Sequence, residues 1–342
     1  LEIKREVLIG QLSDFRQALL PIIAAIGGMV VPALLYYFLN TEGSGVRGWG
    51  IPMATDIAFS IGVLVLLGSR VPKSLLTFLV ALAIVDDLGA VAVIAIFYTE
   101  TIVWGAVGAG VLFVGVLILM NLFGIRSPIP YFLVGTLLWL ALLESGIHAT
   151  VAGILTAWTI PARSRFDIRR FGDMIGTMGK RVQQRIESNE KCIIMEDEEQ
   201  RRGVVQTLID SIHMIETPLQ RLEHSLHVPV AFLIIPLFAL ANAGVPIALG
   251  QIPSLLTEPI TLGIIVGLVV GKFLGIAGLS LLAVRLGFGT LPEGTRPGHI
   301  IGVGFLGGIG FTMSIFIAEL GFSGQQEELV LAKTGVLFAS VI

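Results

Sequence analysis

Two adjacent carboxylates, Asp86 and Asp87, lie near the middle of the apolar run LLTFLVALAIVDDLGAVAVIAIFY, which extends from Leu75 to Tyr98. The run is long enough to cross a bilayer as a helix. An ionised carboxylate at the centre of such a helix costs roughly 2.5 to 3.5 kcal/mol, so we expect both acids to face protein or water. Successive helical residues point about 100° apart, which lets one acid line a cavity while its neighbour reaches another helix. Acids placed in this way can bind a hard cation or carry a proton.

Two other interpretations of the acid pair fit the sequence less well. An N-cap of a soluble helix is disfavoured because nine of the ten residues before Asp86 are apolar and an Ala/Val/Ile run follows Gly89. An intramembrane aspartyl protease needs two acids on facing helices around a nucleophilic water. Here the acids are neighbours in one segment, and no GxGD motif follows them.

A third acid, Asp56, occurs in the apolar stretch GWGIPMATDIAFSIG. Gly48, Gly50 and Pro52 weaken the helix before Thr55 and Asp56, and a good helical run resumes after them. We therefore predict a discontinuous helix. Backbone amides freed at the break carry partial positive charge, which the Asp56 carboxylate would offset.

A second predicted break is GVGFLGGIGFTMSIF, which has five glycines between positions 302 and 310, followed by Thr312. Two interrupted spans in separate halves of a chain indicate an inverted-repeat transporter with its site near the midplane. The alternative is that the glycines only permit close helix packing.

Lys272, in GLVVGKFLGIAG, is a cation near the middle of another apolar span. Beside Asp86, or at the negative ends of broken half-helices, it would stay charged. Snorkelling of its ammonium group to the membrane interface is the alternative.

The composition is that of a polytopic membrane protein. Hydrophobic residues make up 54% and charged residues 14% of the 342 residues, with a mean hydropathy of +0.89, whereas about a quarter of a soluble domain is charged. The single Cys192 indicates no disulfide within the chain and no redox chemistry. Ten spans are predicted, near residues 18–39, 49–67, 75–98, 103–123, 130–143, 146–160, 228–249, 260–284, 299–320 and 329 to the end.

The basic residues predict the orientation. If successive spans alternate sides, the short connections on one face hold eight Lys and Arg, and those on the other face hold only Arg47. The eight are Lys4, Arg5, Arg16, Arg70, Lys73, Arg126, Arg285 and Arg296. The basic face, with the start of the chain, is expected in the cytoplasm.

A polar insertion at residues 161–217 separates the first six spans from the last four and is also predicted to be cytoplasmic. It carries eleven Lys and Arg if Arg221 is counted, and the acidic run EDEE. Apolar residues at helical spacing predict an amphipathic helix between Glu196 and His227, at the membrane surface or against the bundle. A solvated connector is favoured over a regulatory element.

Residues 1–342 are predicted to form a single transmembrane transporter domain. The chain begins with a charged run and stops within an apolar segment. We therefore expect a piece of a longer protein, lacking at least one preceding helix and part of its last one.

Three histidines lie near span ends. His148, in ESGIHATVAG, is more typical of a hydrogen-bonded packing residue than of a titrating one. His224 and His227 lie with Glu223 where the insertion meets the next span. A third strong ligand is lacking nearby in the sequence, so we predict no metal cofactor there.

Six motifs together closely resemble the NhaA family of Na+/H+ antiporters. They are ATDIAF at 54–59, ALAIVDDLGA at 81–90, SGIHAT at 145–150, IPLFALANAGV at 235–245, GKFLGI at 271–276 and GIGFTMSIFIA at 308–318. Each motif alone is weak, but the ordered set is specific and covers almost the whole chain except the insertion. NhaA is a standard example of inverted repeats. The resemblance therefore implies an all-α inverted-repeat bundle of twelve helices, with two discontinuous helices crossing at the midplane. This chain would supply the third helix onward and the cytoplasmic end of the second.

The resemblance also implies roles for individual residues. Asp87 would be the principal Na+ ligand and proton carrier, with Asp86 as its partner and an oxygen at Thr55 nearby. Asp56 and Lys272 would balance the half-helix ends, with Lys272 paired to Asp86 when Na+ is absent. The cluster linked to pH response would be Glu2, Arg5, Glu6, Glu223, His224 and His227, with His148 at another pH-linked position.

The function that the resemblance implies is export of Na+ or Li+ in exchange for protons, electrogenic and regulated by pH, for pH and sodium homeostasis. The implied location is the bacterial inner (plasma) membrane, in contact with lipid, and a homodimer is compatible with the family. No enzymatic activity, cofactor or nucleic-acid partner is implied. The long insertion and the expected lack of the first helices depart from the family pattern. A solute symporter on a similar bundle is the alternative, and a roomier, more cationic site would distinguish it.

Overall fold

A computed structural model describes residues 1–8, 10, 15–98, 102–162, 176–177, 179–180, 217–242, 244 and 252–342. All regular secondary structure in these residues is helical, which confirms the predicted fold class. The predicted cytoplasmic insertion at 161–217, with most of its amphipathic helix, lies almost entirely outside the described residues.

Most helices follow the predicted apolar segments, whereas α1 and α9 lie outside them. In chain order they are α1 (Glu2–Leu8), α2 (Phe15–Leu39), α3 (Ile57–Leu66), α4 (Lys73–Phe97), α5 (Trp104–Leu122), α6 (Pro128–Ser145), α7 (Thr150–Thr159), α8 (Pro218–Asn242), α9 (Ile252–Thr257), α10 (Pro259–Arg285), α11 (Pro297–Leu306), α12 (Phe311–Gly321) and α13 (Gln326–Val341). Two 3₁₀ helices, Ser44–Met53 and Gly68–Arg70, flank α3.

Seven helical stretches among the described residues are long and apolar enough to cross a membrane, and α11 with α12 make an eighth if the bent pair is one span. The helices α7, with 10 residues, and α13, with 16, occupy the two other predicted spans but are shorter. The chain is therefore a multi-pass membrane protein.

The helix α8 begins earlier than the span predicted to start near residue 228. Thr217 and Gln220 form a capping box at its start. The Thr217 hydroxyl accepts from Gln220 N at 3.2 Å, and Gln220 Oε1 accepts from Thr217 N at 3.1 Å. These reciprocal bonds satisfy two backbone donors and fix the first turn, which polarity alone does not indicate.

The span containing Asp56 is interrupted, as predicted. Ser44–Met53 is a 3₁₀ helix, residues 54–56 have no regular secondary structure, and α3 follows. Tyr36 Oη donates to Gly45 O at 2.7 Å, and Tyr98 Oη donates to Arg47 O at 2.8 Å. Because 3₁₀ helices rarely exceed four residues, these bonds from neighbouring helices help to hold an unusually long one.

The second predicted break lies between α11 and α12, whose axes differ by 45°. The backbone at Gly308 runs so close to α10 that an added Cβ would lie 2.6 Å from the Leu268 carbonyl oxygen. Only glycine fits there without displacing the backbone of α10, and this close approach explains why a glycine occupies the position.

The helix α10 packs directly against the backbone of α2. It holds Lys272 between two π-helical turns, Gly267–Gly271 and Leu274–Gly278. A Cβ added at Gly271 would lie 2.7 Å from Pro32 Cα. The π-helical turns, which are frequent at functional sites, therefore lie at a crossing where helix backbones touch.

We expect Gly275→Ala to destabilise the protein, because the new Cβ would overlap the Gly27 carbonyl oxygen of α2. Overpacking of this kind costs about 1–3 kcal/mol. The thermal midpoint in detergent measures the loss. Gly278→Ala is the matched control, because an added Cβ there meets nothing within 4 Å. Equal midpoints for the two variants would contradict the close crossing of α2 and α10.

Candidate functional site

The two helix breaks lie against each other. Asp56 N donates to Ile309 O at 2.7 Å, and the Thr55 hydroxyl donates to Gly307 O at 3.0 Å. In a membrane interior, backbone groups freed by a break must find partners within the protein. At this crossing, each break supplies partners to the other.

The Asp56 carboxylate caps two helices at once. As the N-cap of α3, its Oδ1 accepts from Phe59 N at 3.2 Å. Its Oδ2 accepts from Thr312 N at 3.0 Å and from Thr312 Oγ1 at 2.5 Å, at the start of α12. Helix N-termini carry partial positive charge. One carboxylate, 2% exposed, therefore balances the positive ends of two half-helices.

Lys272 is buried and pairs with an acid of α4. Its Nζ donates to Asp86 Oδ2 at 2.8 Å and to Thr55 Oγ1 at 2.8 Å. Thr55 in turn donates to the carbonyl of Gly307, the C-cap of α11. One hydroxyl thus links the ammonium group to the negative end of a half-helix. The side chains of Lys272 and Asp86 are 0% and 1% exposed.

The two acids of α4 differ in their partners. Asp86 Oδ2 is held by Lys272, whereas Asp86 Oδ1 and Asp87 Oδ1 are buried and have no hydrogen-bond partner among the described residues. A buried, unpaired acceptor is costly and requires an explanation. Carboxylate oxygens in this state can take up a proton or bind a hard cation.

The other predicted pH-response residues lie on α1 and α8. They are Glu2, Arg5, Glu6, Glu223, His224 and His227. Arg5 and Glu223 form an ion pair between the two helices. Glu6 is buried, whereas Glu2, His224 and His227 are exposed. The structure therefore joins Arg5 and Glu223 of this set directly.

His148 precedes α7 and contacts the second broken span. Its Nδ1 lies 2.9 Å from Thr150 Oγ1. Its ring packs edge-to-face on Phe316 of α12, with ring centroids 5.5 Å apart. These contacts place a histidine against the half-helix that Asp56 caps.

Three hydroxyl side chains at the crossing received no role from the sequence. Ser60 Oγ donates to Leu306 O at 2.8 Å, Thr312 bonds to Asp56, and Ser340 Oγ accepts from Phe311 N at 3.2 Å. Thr312 lies two residues after the last glycine of the break, and this position near a predicted helix start could have indicated a polar contact there. Ser60 and Ser340 carry no such signal, because a serine in an apolar helix commonly bonds to its own backbone.

Comparison with known proteins agrees with the resemblance. The family model described as "Na+/H+ antiporter 1" matches residues 1–342. "Na(+)/H(+) antiporter NhaA 1" of Saccharophagus degradans is 53% identical over 342 residues, covering 100% of this chain and 73% of the relative. "Na(+)/H(+) antiporter NhaA" of Sulfurimonas denitrificans is 53% identical over 344 residues, covering 100% and 76%. The protein of the same name from Syntrophobacter fumaroxidans is 47% identical over 344 residues, covering 100% and 72%.

We expect Lys272→Met to lower the free energy of unfolding by about 3–5 kcal/mol, because Asp86 would remain as an uncompensated buried charge. Adding Asp86→Leu should recover most of the loss, since no buried charge is then left. Thermal unfolding in detergent compares the stability of the unaltered protein, Lys272→Met and the double variant.

Lys333→Met is the control for this prediction. This substitution breaks the ion pair between Lys333 and Glu319. The side chain of Glu319 is 37% exposed. Water can solvate the acid left behind, so the loss should be smaller. A loss as large as that of Lys272→Met, or no recovery in the double variant, would contradict the prediction.

Proposed function

The chain belongs to the Na+/H+ antiporter 1 family, and from that premise we propose that it exports Na+ in exchange for protons. The family consists of transporters rather than enzymes. The proposal includes Li+ as a second substrate, the bacterial inner membrane as the location, a homodimer in lipid as the assembly and residues 161–217 as a cytoplasmic connector.

The observation that carries the proposal is the difference between two adjacent acids at the crossing. Asp86 is held by Lys272, while Asp87 has a buried oxygen that no described residue satisfies. We assign to Asp87 the roles of principal Na+ ligand and proton carrier, with Asp86 as its partner. Thr55 can supply a further oxygen ligand to Na+. Its hydroxyl already bonds to Lys272 and Gly307, so the ligand would be the remaining lone pair of that hydroxyl or the backbone carbonyl.

Exchange follows from competition for the same oxygens. Na+ is a hard cation that takes oxygen ligands, and an ionised carboxylate can bind it whereas a protonated one cannot. Protons and Na+ therefore displace each other at one site. If the site opens alternately to the two sides of the membrane, entry of protons drives exit of Na+.

Lys272 can take part in two ways. It can act as a fixed counter-charge to Asp86 and to the end of α11, or it can carry one of the exchanged protons. Its simultaneous bonds to Asp86 and Thr55 support the first role. If more than one proton moves per Na+, the membrane potential adds about 2.3 kcal/mol per net charge per 100 mV.

We place pH regulation at the contact between α1 and α8 and at His148. The first of these contacts is the ion pair between Glu223 and Arg5. His148 would act through Phe316 on α12. The first contact joins α1 to α8, and the second reaches the half-helix α12.

We expect Asp87→Asn to abolish Na+-driven proton movement without preventing insertion, because an amide cannot exchange a proton for a cation. Proteoliposomes with an internal pH indicator measure this on addition of Na+. Glu144→Gln, which neutralises an exposed acid near the end of α6, is the control and should keep full activity. Substantial antiport in Asp87→Asn would overturn the assignment of Asp87.

We expect Lys272→Ala to move as much charge per Na+ as the unaltered protein, if Lys272 serves as a counter-charge. The reversal potential of transport in proteoliposomes measures that ratio. Electroneutral exchange by Lys272→Ala would instead assign one transported proton to Lys272.

A further inference from the structure

The last helix, α13, contacts both ends of the half-helix α12. At one end, Ser340 bonds to the first residue of α12. At the other end, Lys333 forms an ion pair with Glu319, with Nζ and Oε1 2.5 Å apart. Two polar contacts at opposite ends of α12 oppose its sliding or rotation along α13.

The start of α12 needs acceptors from outside the helix. Its first hydrogen bond to the preceding turn is Ser314 N to Gly310 O, at 2.7 Å, so the amides before Ser314 have no intrahelical acceptor. Thr312 N uses Asp56 Oδ2 at 3.0 Å, and Phe311 N uses Ser340 Oγ at 3.2 Å. A carboxylate and a hydroxyl therefore divide two neighbouring donors between them.

The Ser340 hydroxyl is oriented for this bond. It donates its own hydrogen to Val336 O at 2.8 Å, which leaves its lone pairs to accept from Phe311 N. Without the hydroxyl, Phe311 N would lose its acceptor at the start of the half-helix whose next amide, Thr312 N, is held by Asp56.

We propose that Ser340 is a positioning residue for the ion site, acting through Phe311 N and Asp56, with the Lys333–Glu319 pair holding the far end of α12. The inference rests on the proposed antiport function. Among the described residues, the hydrogen bonds of Ser340 go to Phe311 and Val336 and not to Asp86 or Asp87. Its effect is on the geometry and charge balance at the helix crossing that faces them, and therefore on Na+ affinity more than on the amount of folded protein.

The test compares Ser340→Ala, Ser340→Thr and Thr334→Val in proteoliposomes. Ser340→Ala removes the acceptor, whereas Ser340→Thr keeps a hydroxyl. Thr334→Val is the matched control on the same helix, because among the described residues the buried Thr334 hydroxyl bonds only to Val330 O, at 2.7 Å, within α13. The initial rate of Na+-driven proton movement is measured against Na+ concentration at fixed pH, together with the thermal midpoint.

We expect Ser340→Ala to raise the KM for Na+ about three- to tenfold, the scale of one lost hydrogen bond. Ser340→Thr and Thr334→Val should keep a KM near that of the unaltered protein. If Ser340→Ala does not fold, Ser340→Cys, which is similar in size but a weak acceptor, should show the same rise.

An unchanged KM for Na+ in Ser340→Ala or Ser340→Cys would overturn the proposal. If only the thermal midpoint or the maximal rate fell, the role of Ser340 would be purely structural. An equal rise in KM for Thr334→Val would also overturn it. The proposed antiport itself fails only if the unaltered protein moves no protons in response to Na+, so the two failures are distinguishable.

Discussion

The cost of burying charge in the middle of a membrane bundle constrains the rest of this structure. Lys272 and Asp86, 2.8 Å apart and 0% and 1% exposed, are each tolerable only because the other is present. Their bond fixes which faces of α4 and α10 point inward. It also leaves Asp87, the next residue along α4, without an ion-pair partner among the described residues. The same contact that stabilises one acid thereby leaves its neighbour available for a transported ion.

Breaking two helices at one place provides the other half of the charge balance. A continuous helix would offer no free amides to Asp56, and a single break would leave backbone groups in the membrane interior without partners from a second break. Because both breaks lie at the crossing, Asp56 accepts from Phe59 N and Thr312 N. Thr55 connects Lys272 to Gly307 O. The negative charge of Asp56 thus lies at the N-termini of α3 and α12, and the positive charge of Lys272 is linked through Thr55 to the C-terminus of α11.

Close packing keeps these groups in register. At Gly271 and Gly275, α10 touches the backbone of α2, so the Lys272 backbone is held from one side. The helix α13 holds α12 from another side through Ser340 and Lys333. Small residues permit the first contact, and polar side chains make the second. In a bilayer, where lipid is as apolar as leucine, both kinds of contact are needed to specify how helices associate.

The sequence by itself determined that the chain is an all-helical, multi-pass membrane protein with two interrupted spans and intramembrane charges at Asp56, Asp86, Asp87 and Lys272. These features are local, since apolar length, glycine and proline placement and isolated charge are properties of short segments. Only the tertiary structure decided which groups are partners. Lys272 and Asp86 are 186 residues apart in the chain, and Thr312 and Asp56 are 256 apart. No local pattern distinguishes Ser340 from a serine that bonds only to its own helix, because its role depends on where α12 begins in space.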